Sequence, residues 1–137
     1  MRAGLYIRGN KVQEEVRLSV IRFARWLRLQ SDFPIRVPVY LSPAEQILTR
    51  KGERVSAAFF APFDRAVDPY IRVAAGDYGA LRAKHGRDNA LASILGSVAH
   101  EIVHYRQWCQ GRKTSEREAV SGASRLVRAY AQCVPHP

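Results

Sequence analysis

The sequence predicts an α+β fold: an N-terminal helix, a small three-stranded sheet, and two helices that follow it. Three observations carry this reading. An apolar stripe at helical spacing runs through residues 11–30. Three short segments of strand character fall between residues 35 and 74. Two further helical patterns occupy residues 88–132. Strands and helices are segregated along the chain rather than alternating, which favours a small antiparallel or mixed sheet packed on a helical layer.

The first helix spans Lys11 to Gln30, because Val12, Val16, Val20, Phe23 and Leu27 recur on one side while Arg17, Arg25 and Arg28 fall on the other. Ser31, Asp32 and Pro34 stop it. Ile35 to Leu41 alternates as a strand does, and Pro38, which lacks an N–H, points to an edge or a bulge. Ser42-Pro43-Ala44-Glu45-Gln46 suits a short helical turn with Pro43 at its first position. Lys51-Gly52-Glu53 reads as a turn, Val55 to Ala61 as a second strand, Pro62 to Pro69 as a loop and Tyr70 to Ala74 as a third strand. Gly76-Asp77-Tyr78-Gly79 lacks phosphate-loop spacing and reads as a turn. Asp77 to Lys84 is a short helix or turn closed by His85-Gly86.

Asp88 to Gln110 is a long helix with a broad seam of Leu91, Ile94, Leu95, Val98, Ile102, Tyr105 and Cys109. Gly111 ends it, and Arg112-Lys113 sit where cations suit the negative end of a helix dipole. Ser115 opens the last helix, which runs to about Gln132 before Pro135 and Pro137.

Composition narrows the function classes. The chain has 137 residues, which suits one domain spanning 1–137. Hydrophobic residues make up 47% and charged residues 25%, which argues against disorder. No stretch approaches the roughly 20 apolar residues of a membrane span, and Met1 to Glu15 has no apolar core of a signal peptide, so a cytoplasmic protein with no membrane partner is expected. Cys109 and Cys133 form no Cys-x-x-Cys and read as ordinary buried thiols. The formal net charge is +10, carried by four lysines and eighteen arginines. The arginines are dispersed (Arg2, Arg8, Arg17, Arg22 and onward) rather than in one run. They suit either a solvated surface or a folded basic face that meets nucleic acid or an acidic partner.

The sharpest signal is His100-Glu101-Ile102-Val103-His104 inside the long helix. Residues four apart stand one above the other, so both imidazoles leave one face and can share an ion. Glu101 lies about 100° around the helix from His100, near the ligand pair but not in it. That is where a base acting on a metal-activated water belongs. Ser93, Gly96 and Ser97 precede the histidines and leave room on their side of the helix.

Zinc accepts two His and one carboxylate and keeps a fourth position open, so a third ligand is needed. Glu116 and Glu118 compete, and on a helix they point about 200° apart. Glu116 shares its face with Ala119, Val120, Ala123, Leu126, Val127 and Tyr130, and a carboxylate heading an apolar stripe is costly unless paired or metal-bound. Glu118 matches a capping box with Ser115, which explains it structurally. This favours Glu116, with Glu118 as the alternative. Tyr78, His85, Tyr105, Tyr130 and several arginines are candidates to stabilise an oxyanion, and nothing in the sequence chooses among them. Packing explains Tyr130, a helix end explains His85, and His136 falls in the C-terminal tail.

His100-Glu101-x-x-His104 followed by Glu116-x-x-Ala119 on the next helix resembles the gluzincin metallopeptidases, and the short length resembles minigluzincins and ImmA-type domains. The resemblance covers residues 90–130 closely and the first half only in element order. It implies a zincin-like domain binding Zn2+ through His100, His104 and Glu116, with Glu101 as general base. It also implies a peptide or protein substrate lying extended along an edge strand. The family's pattern continues with Asp or Asn after the alanine, a residue that supports a ligand histidine through its second ring nitrogen. Val120 stands there instead, so that support must come from elsewhere, such as a backbone carbonyl. The sequence therefore predicts a small zinc-dependent endopeptidase. The alternative is a non-catalytic, zinc-stabilised basic module that contacts nucleic acid or an acidic protein.

Overall fold

The computed structural model describes residues 3–64 and 66–137. Arg2, and Arg65 within the predicted 62–69 loop, lie outside the described residues.

Ten elements follow in chain order: β1 (Leu5–Arg8), α1 (Glu14–Gln30), β2 (Val37–Ser42), β3 (Ile47–Leu48), β4 (Arg54–Val55), β5 (Ala57–Phe60), β6 (Tyr70–Ala74), α2 (Tyr78–His85), α3 (Arg87–Cys109) and α4 (Glu116–Ala131). The fold is α+β, as the segregated pattern predicts, with a four-stranded sheet in the order β1-β2-β6-β5 and a separate β3–β4 hairpin. β1, β2 and β6 run parallel, and β5 runs antiparallel to β6 at one edge.

The odd-numbered side chains Leu5, Val37, Val39, Leu41, Ile71 and Val73 are buried under the helices. α1 packs against β1, and α3 against β5 and β6. α1 contributes Val16, Val20, Phe23, Ala24 and Leu27 to this core, the stripe read from its periodicity. α3 contributes Leu91, Ile94, Leu95, Val98, Ile102 and Tyr105. A side chain of this size contributes roughly 1.5–3 kcal/mol on full burial.

Several expectations need correction. A strand precedes the first helix, so the sheet has four strands rather than three. β1 is four residues long between Gly4 and Gly9, whose φ angles of 114° and 144° favour glycine, and so short a run carries little alternation. α1 starts at Glu14 rather than Lys11, where Glu14 and Glu15 meet the positive end of the dipole. Ser42 ends β2, and residues 43–46 form bends leading into β3, not a helical turn. The predicted second strand is broken at Ser56 into β4, which pairs within the hairpin, and β5, which joins the sheet. Pro38 sits in an interior strand. Its missing N–H is tolerated because Val37 N–H donates to the Gly4 carbonyl at 2.9 Å, and successive N–H groups alternate sides. The pairing with β6 begins one residue later, at Val39. Cys109 is half-buried and Cys133 exposed, because Cys133 lies in the turn beyond α4.

Polar anchors fix the helices on this frame. Tyr105 Oη donates to the Ile35 carbonyl at 2.5 Å and accepts from the Ile35 N–H at 3.1 Å, tying α3 to the approach to β2. Glu15 accepts from the buried Tyr78 hydroxyl and from Arg82 at 2.7 Å, tying α1 to α2. That hydrogen bond to Tyr78 holds the Glu15 carboxyl below its ordinary value, against a small burial effect, with Arg82 and Arg87 adding to it. The C-terminal tail is held too, by His136 Nδ1 at 2.8 Å from Asp88 and by Arg22 donating to the Pro137 carbonyl at 2.8 Å.

One close approach has a direct consequence. A Cβ on Gly76 would lie 2.2 Å from the Pro43 carbonyl oxygen and 2.5 Å from the Ala44 carbonyl carbon, backbone atoms that cannot swing aside. Gly76→Ala is expected to lower unfolding free energy by about 3 kcal/mol, at the upper end of overpacking costs. Urea melts of the two proteins would check this; coincident midpoints would contradict it.

Candidate metal centre

α3 presents two faces. One is the core seam; the other carries Ser93, Gly96, Ser97, His100, Glu101 and His104 into a groove of about 990 Å³. The opposite wall is β5 and the β3–β4 hairpin, with Arg50, Lys51, Phe60, Tyr70 and Arg72 among its side chains, and Thr114 and Glu116 close one end. The small residues one and two turns before His100 keep the space above the helix open, as their spacing predicted.

α4 reaches this groove because the turn between the helices is tight. Gly111, at φ 69°, reverses the chain after α3. Gly122 then lets the helices close, since a Cβ there would sit 2.9 Å from a Val103 methyl. Ser115 caps α4, accepting from the Glu118 N–H at 3.2 Å, an interaction that contributes about 1 kcal/mol. The reciprocal half of the expected capping box is replaced. Glu118 pairs with Arg112 at 2.7 and 2.9 Å, and the Ser115 N–H goes instead to Gln107.

His100, His104 and Glu116 come together as a group that could hold a metal ion, with one ligand atom from each lying within 4.8 Å of the others. His104 Nε2 is 2.8 Å from Glu116 Oε1, and His100 Nε2 is 3.0 Å from Glu116 Oε2. Of the two competing glutamates, Glu116 is the one brought to the histidines. Ala119, Ala123 and Tyr130 on the face of Glu116 are buried, as expected, but Glu116 itself is not. Its side chain is 71% exposed, and Val120 is 62% exposed, because this first turn of α4 overhangs the groove instead of entering the core.

The buried amide of Gln107 orients His104, and the sequence reading missed it. Gln107 Nε2 donates to the Ser115 carbonyl at 3.2 Å, while Oε1 accepts the Ser115 N–H at 3.2 Å and faces His104 Nδ1 at 2.9 Å. A backbone N–H only donates and a backbone carbonyl only accepts, so the amide orientation is fixed and Oε1 must be the acceptor. His104 Nδ1 therefore carries a proton, and Nε2 of the neutral ring turns its lone pair towards Glu116. A lone pair and a carboxylate oxygen at that distance need a positive charge between them, a proton or a metal ion. This donor set fits a cation, and Gln107 supplies the support of the second ring nitrogen that Val120 does not. The signal was present as His104-x-x-Gln107, an i, i+3 pair on one helix face.

Charges within the group are coupled. Partial burial works against ionisation of Glu116, but the charges of and hydrogen bonds from His104 and His100 outweigh it and hold its carboxyl below the ordinary range. Glu101 is 6% exposed and lines the same groove. Burial pushes its carboxyl up and the nearby Glu116 charge adds to this, against the pull of His104 and a backbone hydrogen bond from Phe59, to about 7.

Of the oxyanion candidates, Arg50 and Arg72 line the groove. Tyr78, His85, Tyr105 and Tyr130 are not among the groove residues, and neither are the cysteines nor the tail. Tyr130 packs its ring on Phe23 and Trp26, and His85 ends α2 before Gly86.

Two outcomes follow. Glu101 titrates higher in the folded chain than its ordinary 4.5, so its contribution to stability is fully present below about pH 4.5 and lost as pH rises through about 7. In metal-free protein, Glu101→Gln is therefore expected to gain stability over the parent by on the order of 2 kcal/mol at pH 8 relative to pH 4, read by urea melts at both pH values. An unchanged difference would contradict it. Gln107→Leu is expected to weaken divalent-metal affinity about 10–100-fold, measured by competition with a chelator. Affinity equal to the parent's would remove Gln107 from the site.

No protein-family model, curated protein or solved structure matches the chain, so the geometry and chemistry of these residues alone bear on what the group does.

Proposed function

We propose that this chain is a small zinc-dependent endopeptidase. The observation that carries the proposal is the placement of a buried carboxylate, Glu101, in one open groove with a converging His100–His104–Glu116 group. Two imidazoles and one carboxylate are the donor set that zinc takes while keeping a position open. A zinc ion held there supplies Lewis acidity towards water and towards a carbonyl oxygen.

The chain's own residues supply the rest. His104, fixed by Gln107, and His100 hold one side of the group, and Glu116 reaches it from α4. Glu101, desolvated and close to its ordinary-pH midpoint, takes a proton from the attacking water. It returns that proton to the amide nitrogen as the C–N bond breaks. Glu101 would be held in the ionised form, the base it must be at neutral pH, by a cation in the His100–His104–Glu116 group. The groove runs beside β5, the edge strand of the sheet, along which an extended peptide adds as a further strand next to the Phe59 N–H that faces Glu101. Phe59 and Phe60 are half-buried along it and offer apolar contact to substrate side chains.

The test is Glu101→Gln in zinc-loaded protein. Cleavage of an unfolded protein substrate is expected to fall by about 10²–10⁴-fold, the usual share of a general base, while zinc content stays at one ion per chain. A zinc-loaded parent that cleaves no unfolded protein, or a variant as active as the parent, would overturn the proposal.

A further inference from the structure

The sheet has a second face that the metal centre does not use. Its odd-numbered side chains lie under α1 and α3, so the even-numbered ones point the other way. The register sets them in two rows. Arg8 lies beside Tyr40, Tyr40 beside Arg72, and Arg72 beside Ala58. One step along, Tyr6 lies beside Pro38 and Tyr70 beside Phe60.

Aromatic rings and guanidinium groups are interleaved across the rows. Tyr70 stacks on Phe60 at 4.9 Å between centroids and meets Tyr40 edge-on at 6.0 Å. Arg8 and Arg36 lie over the Tyr6 ring at 5.5 and 5.3 Å, and Arg50 over Phe60 at 4.7 Å. Tyr40 is 44% exposed although it sits in an interior strand, so its ring is open to a partner. The strands β1, β2, β5 and β6 contain no acidic residue. Among the described residues, Arg8, Arg50 and Arg72 have no carboxylate within ion-pair distance. The β3–β4 hairpin touches one margin, where Arg72 donates to the Leu48 carbonyl at 3.5 Å.

We infer that this face binds single-stranded nucleic acid, with bases stacked on the tyrosine rings and phosphates against the arginines. Unpaired bases have two apolar faces and a regularly charged backbone, and a binding surface for them interleaves aromatics with cations. A duplex hides its base faces and would leave the rings unused. An acidic peptide would meet the arginines but has no planar groups to cover the tyrosines. The surface meets the groove at one margin, where Arg50, Phe60, Tyr70 and Arg72 line both, but Arg8 and Tyr40 lie outside the groove, so variants there test this face apart from the proposed peptidase reading.

The experiment is fluorescence anisotropy of a labelled 20-nucleotide oligo(dT) with the full chain across a potassium chloride series. Log affinity is expected to fall with log salt with a slope of about −2, since each phosphate neutralised on a single strand contributes roughly −0.7 and Arg8, Arg50 and Arg72 supply three contacts. Tyr40→Ala is expected to weaken binding about tenfold, and Tyr40→Phe to keep parental affinity. Arg8→Ala is expected to weaken binding and flatten the slope by about 0.7. Circular dichroism melts confirm that each variant folds. No binding at low salt would overturn the inference. So would Tyr40→Ala binding as the parent does, or polyglutamate displacing the oligonucleotide as well as unlabelled oligo(dT) does, which would make the face a receptor for charge alone.

Discussion

Gln107 holds two elements in register through one amide. Its carbonyl oxygen accepts from both His104 and the first residue ahead of α4, and its nitrogen donates back to that same residue. It is 1% exposed, so none of these bonds can be exchanged for water without cost. The position of Ser115 decides where α4 begins, and Glu116 is the next residue. A single buried side chain thus fixes the orientation of one candidate ligand and the starting point of the helix that delivers another. The Gly122–Val103 approach then keeps the two helices close enough for Glu116 to reach both imidazoles.

Everything else is arranged around the double duty of α3. It is the largest contributor of core side chains, and the same helix carries the donors. The two roles are separated by rotation around the axis: Leu91, Leu95, Val98 and Ile102 turn towards the sheet, while Ser93, Gly96, Ser97 and His100 turn towards the groove. Glu101 and His104 fall at the border and are nearly buried. That border position gives Glu101 its raised carboxyl, because burial disfavours the charge more than His104 and the Phe59 backbone hydrogen bond favour it. The sheet is equally two-sided. One face closes the core, its edge strand β5 walls the groove, and its other face is left to tyrosines and arginines.

Much of this was legible in the sequence, and the residues show why. The stripe from Val16 to Leu27 and the seam from Leu91 to Tyr105 are long enough for periodicity to be decisive, and both helices lie where the pattern put them. His100 and His104 follow from spacing alone, since four residues on a helix always share a face. β1 was missed because four residues cannot establish an alternation, and its parallel pairing with β2 is a long-range choice that local sequence does not record. The bend at Ser56 was missed for the same reason: whether a strand continues is decided by its neighbours. Glu116 was chosen for heading an apolar face, and Ala119, Ala123 and Tyr130 on that face are buried, but Val120 points to solvent. The arginines looked dispersed in the chain, yet the sheet register gathers Arg8, Arg36 and Arg72 with the tyrosines on one surface.

The central claim is that His100, His104 and Glu116, with His104 held by Gln107, bind one metal ion. X-ray absorption at the zinc edge of reconstituted protein tests it most directly. The account predicts a shell of nitrogen and oxygen only, at about 2.0–2.2 Å, with outer-shell scattering from two imidazole rings. A sulfur scatterer at about 2.3 Å, which would place Cys109 or Cys133 on the metal, would contradict it, as would a shell without imidazole.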